Sequence, residues 1–230
     1  MEKIKVKDII SNEIIYNEYI SAQLPRKYNS SHYNRYVNFM LKHRNLTCRL
    51  LYLNEFIDKY YLYWINLVKE PKIDTTNNHT LLQSTLKHKE WERLLTNDYF
   101  KQEEFIMHLR KATDDCIVLF SIATDTFKPH PKGKKPWPYE MIGELLKNDE
   151  IDKYPALKPH KPFLKIINAI SNGFKHCVAN STTFKIGEFE PCIFVYANKG
   201  QFYNEIGVTI NSLIVDFNNF YSTIDSIIKN

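Results

Sequence analysis

From Tyr33 to about Val68, apolar residues recur every three or four positions: Tyr36, Phe39, Met40, Leu50, Leu53, Phe56, Ile57, Tyr60, Trp64 and Leu67. That spacing is the period of an α-helix with one face turned to a core. The polar run Lys42-His43-Arg44-Asn45 within it marks either a kink or an exposed face, and Pro71 with the polar cluster at 74–78 closes the segment. Other stretches carry the same period. Ile9, Ile10, Ile14, Ile15, Tyr19 and Ile20 predict a first helix over 6–23, broken by Pro25, with Ser30 or Ser31 as the N-cap of the long segment from Tyr33. Leu81, Leu82, Leu86, Trp91 and Leu94 predict a shorter helix over 80–95. Asn97 or Asp98 then caps a helix from about Tyr99 to Thr124.

Composition removes several alternatives. Six Gly in 230 residues argue against a turn-rich all-β fold, and neither G-x-G-x-x-G nor G-x-x-x-x-G-K-[ST] occurs. Cys48, Cys116, Cys177 and Cys192 are widely spaced without a C-x-x-C, so neither a zinc site nor a disulfide framework is expected. The histidines show no metal-ligand spacing, and no metal or cofactor is expected. Met1 to Lys5 lacks the apolar core of a signal peptide, and the apolar run Cys116–Ala123 is far shorter than the roughly 20 residues a membrane span needs. A cytoplasmic protein without membrane contact is the expectation. The net charge of +5 is mildly basic and well short of a dedicated DNA-binding domain.

Prolines at 129, 131, 136 and 138 exclude regular structure over 126–139, where Lys128, Lys132, Lys134 and Lys135 make the most basic spot in the chain. A short helix near Glu140–Lys147 comes next, with an irregular stretch to Pro162. Phe163 to about Ala179 reads as a helix, and 184–186, 192–196 and 205–210 as short strands. Leu213, Ile214, Phe217, Phe220, Tyr221 and Ile224 place a last amphipathic helix over roughly 211–228. The predicted fold is mainly α, a helical bundle with a small β-hairpin insertion before the C-terminal helix. It is a single domain: N-terminal helices over 1–96, motif-bearing helices and the Pro/Lys-rich connector over 97–180, the β insertion over 181–210 and the final helix over 211–230.

Two segments concentrate polar groups inside apolar helices. Arg110 and Asp114 stand four apart and share a face, as do Asn172 and His176, with Lys175 four from Ser171. Side-by-side packing of the two helices would bring these groups together. Burying them unpaired costs roughly 1–3 kcal/mol each, so such a cluster needs a structural or functional reason. Arg110–Asp114 suits an ion pair that orients the bundle, and Asn172 and His176 suit the capping of a helix end. Asp114 and Asp115 are adjacent and must point apart. Tyr60-Tyr61-Leu62-Tyr63-Trp64 has the composition of a base-stacking platform, but such a stripe is more often core.

Leu109-Arg110-Lys111-Ala112-Thr113-Asp114, the Pro-containing connector, Lys158-Pro159-His160 and Asn172-Gly173-Phe174-Lys175-His176 occur in that order. Together they resemble an uncharacterised bacterial helical family with L-R-x-A-x-D and N-x-x-K-H motifs, similar to the HEPN superfamily of helical bundles. That resemblance implies an RNA-binding or metal-independent RNA-cleaving protein in a defence or toxin–antitoxin setting, homodimeric or joined to a partner protein, with RNA or a nucleotide as ligand. It implies catalytic roles for His176, Arg110 and Lys175, and binding or orienting roles for Asn172, Asp114 and Ser171. One departure stands out: Ser171 occupies the position where the superfamily carries Arg, leaving Lys175 or Arg110 to supply the cation. The alternative is a catalytically inactive helical interaction or assembly module.

Overall fold

The computed structural model describes residues 33–69, 81–128, 137–176, 190–198 and 201–229. The helix expected over 6–23, the strand at 184–186, Cys177 and the lysines at 132, 134 and 135 lie outside the described residues.

Two long helices, α1 (Tyr33–Lys69) and α2 (Leu81–Ala123), form an antiparallel hairpin. Cross-helix bonds fix its direction. Tyr60 meets Asp98, Tyr52 meets Glu104, and Arg49 and Lys42 reach Asp115, so α1 numbers fall as α2 numbers rise. Of the apolar stripe read from the sequence of α1, Phe39, Leu50, Leu53, Phe56, Ile57, Tyr60, Trp64 and Leu67 are buried, Leu46 joins them, and the side chains of Tyr36 and Met40 lie outside the described residues. No kink falls at Lys42–Asn45. The helix runs through, with Lys42 and His43 half-buried and Arg44 and Asn45 exposed.

The break expected at Asn97–Asp98 is absent, and α2 is continuous from Leu81 to Ala123. Asp98 does not cap a helix. Its side chain turns into the hairpin, where the Tyr60 hydroxyl and the Gln102 amide donate to it at 2.9 and 2.7 Å. Tertiary bonds thus replace the local capping bond that the residue type suggested.

Every residue from Cys116 to Ile122 is buried, because the chain folds back over this end of α2 from several sides. Contrary to the expectation of no regular structure over 126–139, a two-residue antiparallel pair, β1 (Phe127–Lys128) with β2 (Trp137–Pro138), closes the Pro-rich connector, short enough to leave Pro138 at a strand end. The Tyr139 N–H then donates to Ser121 Oγ at 3.2 Å, which pins the returning chain to α2. Helix α3 (Ile142–Leu146) comes next, then 3-10 turns at Lys147–Lys153 and Lys158–His160. In the first of these, Asn148 and Asp149 hold φ of 53° and 54°, a region their short polar side chains tolerate.

Helix α4 (Lys161–His176) carries the second motif and packs on α2. The antiparallel hairpin of β3 (Cys192–Asn198) and β4 (Gln201–Thr209) sets Cys192 opposite Thr209 and Val195 opposite Ile206. Ile193 and Val195 are buried and β3 lies on α4, as the alternation of a one-sided strand requires. The Phe194 ring closes over Gly207, where an added Cβ would come within 2.9 Å of it. Helix α5 (Ile210–Lys229) then returns to α2 and α4 and buries Leu213, Ile214, Phe217, Phe220, Tyr221 and Ile224. Among the described residues the fold is mainly α, with five α-helices and a small two-stranded antiparallel sheet before the last of them.

Candidate functional site

Arg110 is the hub of the polar cluster. It sits inside α2, 7% exposed, and its guanidinium leaves the helix sideways toward α4. Nε donates to both oxygens of Asp114 at 3.1 Å, the neighbour one turn along the same face. Nη1 crosses to α4, donating to Asn168 Oδ1 at 2.7 Å and Ser171 Oγ at 3.0 Å. The Ser171 hydroxyl in turn donates to the Asn168 carbonyl at 3.1 Å. Asp114 Oδ1 also accepts the Ile142 N–H at 2.8 Å, satisfying a donor at the start of α3. One guanidinium and one carboxylate therefore join α2, α3 and α4.

Burial pushes the Asp114 carboxyl above its ordinary range, while the Arg110 guanidinium and the Ile142 N–H pull it back. Ser171, fully buried, accepts a hydrogen bond from this guanidinium. The cation near that position thus comes from the other helix. It is committed to three side chains and shielded from solvent, so contact with a phosphate would require the cluster to open.

Asn172 and Lys175 are exposed, standing about 100° and about 40° round α4 from Ser171. His176 ends the helix, and its side chain lies outside the described residues. At about 100° and 1.5 Å per residue, its Cα stands about 140° round and about 7.5 Å along the axis from Ser171. Arg110, Asp114, Asn168 and Ser171 are brought together, whereas Asn172 and Lys175 face solvent and take no part in these bonds. Asn168 is the member that the sequence did not reveal. Its only signal was a position three before Ser171 and four before Asn172.

Asp115 points the other way, as adjacency on a helix requires. It is 4% exposed and holds α1 through Lys42 Nζ at 3.0 Å and Arg49 Nε at 3.1 Å, two residues one heptad apart on that helix. Nearby, the His108 ring lies 4.3 Å from that of Tyr52, and burial, reinforced by Arg49, lowers its pKa. Tyr60, Tyr61 and Trp64 are buried, so the aromatic run of α1 is core rather than a stacking platform.

No group of three or more His, Cys, Asp or Glu among the described residues is placed to hold a metal ion, and no described helix is long and apolar enough to cross a membrane. Comparison with known protein families, curated proteins and solved structures returns no match.

Proposed function

We propose that this chain is a HEPN-like helical module that acts by binding a partner, with the L-R-x-A-x-D and N-x-x-K-H helices serving as its structural joint rather than as a cleavage centre. The support is the state of Arg110: 7% exposed, paired with Asp114 and bonded to Asn168 and Ser171. Stabilising the charge that develops on a phosphate in RNA cleavage needs a cation aimed at the reacting group. Arg110 is spent on holding helices together. A superfamily Arg at position 171 would have met that need, and the chain has Ser there.

A second reading, RNA cleavage by a homodimer, keeps one specific support. Asn172 and Lys175 are exposed on the same end of α4 that His176 terminates. Lys175 would then supply the cation and His176 would move the proton. Incubating the purified protein with single-stranded RNA distinguishes the two. The binding module leaves the oligomer intact, and His176→Ala alters nothing in the digest. Cleavage by the wild type that disappears in both His176→Ala and Lys175→Ala would overturn the non-catalytic reading.

A further inference from the structure

Asp98 is a further buried carboxyl, on α2 about three turns before Arg110, and is served in a different way. It is 3% exposed, and its two oxygens accept from Tyr60 across the α1–α2 hairpin and from Gln102 one turn along α2. Both donors are neutral. Among the described residues no cation pairs with it. Lys101, a basic group whose charge acts on it, lies 5.1 Å from the centroid of the Tyr63 ring. Tyr63 feels the same carboxylate, but its hydroxyl donates to the Leu94 carbonyl. The contrast with Asp114 and Asp115, each paired with a guanidinium, is sharp.

A carboxylate buried with neutral donors alone is held at the expense of its charge. A proton removes that penalty at the cost of one bond, since a neutral carboxyl must itself donate and either Tyr60 or Gln102 then gives way. We infer that Tyr60, Asp98 and Gln102 form a proton-operated clasp between α1 and α2, one that leaves the hairpin more stable with Asp98 neutral than with it ionised.

Burial of the carboxyl without a cationic partner sets the direction of the effect. Burial raises the Asp98 pKa from 3.8 to about 6, and the Tyr60 and Gln102 bonds oppose the rise. The folded chain therefore holds this proton over a range where the unfolded chain has lost it. Its contribution to stability is complete below the ordinary carboxylate value and fades as pH rises through about 6.

The test is equilibrium unfolding of the wild type and Asp98→Asn by urea at pH 4.5 and pH 7.5. Asn keeps the shape and the hydrogen-bonding capacity but cannot ionise. From the lower to the higher pH the variant is expected to gain on the wild type by about 10- to 30-fold in the folding equilibrium. Parallel profiles, or a variant that loses ground as pH rises, would overturn the clasp. Should the Asp98→Asn variant fail to fold, carbon-13 NMR of the wild-type Asp98 carboxyl decides instead. A midpoint near 6 is the expected result, and one at or below the ordinary aspartate value refutes the inference.

Discussion

Replacing Arg110 with Met is expected to destabilise the fold by about 3 kcal/mol at neutral pH, the lower part of the range for removing one partner of a buried ion pair. The side chain of Met has similar length but no donors. Asp114, whose side chain is 22% exposed, would keep only the Ile142 N–H, and the crossing bonds to Asn168 and Ser171 would be lost. The partial exposure of Asp114 is what places the effect at the lower end. With the guanidinium gone, its carboxyl moves further up from a value that burial already raises. The deficit should therefore shrink as pH falls and Asp114 takes up a proton. Adding Asp114→Asn should recover part of the loss at neutral pH, since Asn carries no charge into the same place. Urea unfolding across pH checks both statements, and a deficit that grows on acidification would contradict them.

Phe217→Ala should be at least as damaging, at about 3–5 kcal/mol. Phe217 is fully buried at the centre of α5, edge-on to Phe163 of α4 at 6.5 Å and stacked along its own helix on Tyr221 at 6.3 Å. The surrounding rings belong to two helices that are tied elsewhere, so the space left by the ring cannot close easily. A small loss, below about 1 kcal/mol, would mean that α5 is an appendage instead of part of the core. The same logic predicts a milder effect for Phe194, which is only half-buried and covers Gly207.

Much of this architecture is legible in the chain. The stripes of α1 and α5 have the helical period, and those of their predicted inward residues whose side chains are described are buried. The β3–β4 hairpin is readable from short β-rich runs around Gly and Pro. The misplaced helix break at Asn97–Asp98 has a clear cause. Asp is as good an N-cap as it is a buried acceptor, and only the arrival of Tyr60 from 38 residues earlier decides between them. Local chemistry was ambiguous there, and a tertiary bond resolved it.

The polar cluster divides in the same way. Arg110 and Asp114 announce themselves through their four-residue spacing, a local property. Asn168 does not, because a lone Asn in a helix has no period and gains its meaning from a guanidinium 58 positions away. The Ile142 N–H on Asp114 is less legible still, since every residue but proline carries that group. Lys42 and Arg49 could have been paired with each other as one heptad of α1, but not with Asp115, which belongs to the facing helix. Sequence periodicity reveals which face of a helix turns inward. It does not reveal which polar group waits on the other side.

That α2 and α4 are held together by Arg110 is tested most directly by a double-mutant cycle on stability, with Arg110→Met, Asn168→Ala and the pair. The two side chains meet at 2.7 Å in a part-buried site, so the cycle should return a favourable coupling of about 1–2 kcal/mol. Strict additivity of the two single losses would contradict the joint, and with it the assignment of the motif residues to architecture.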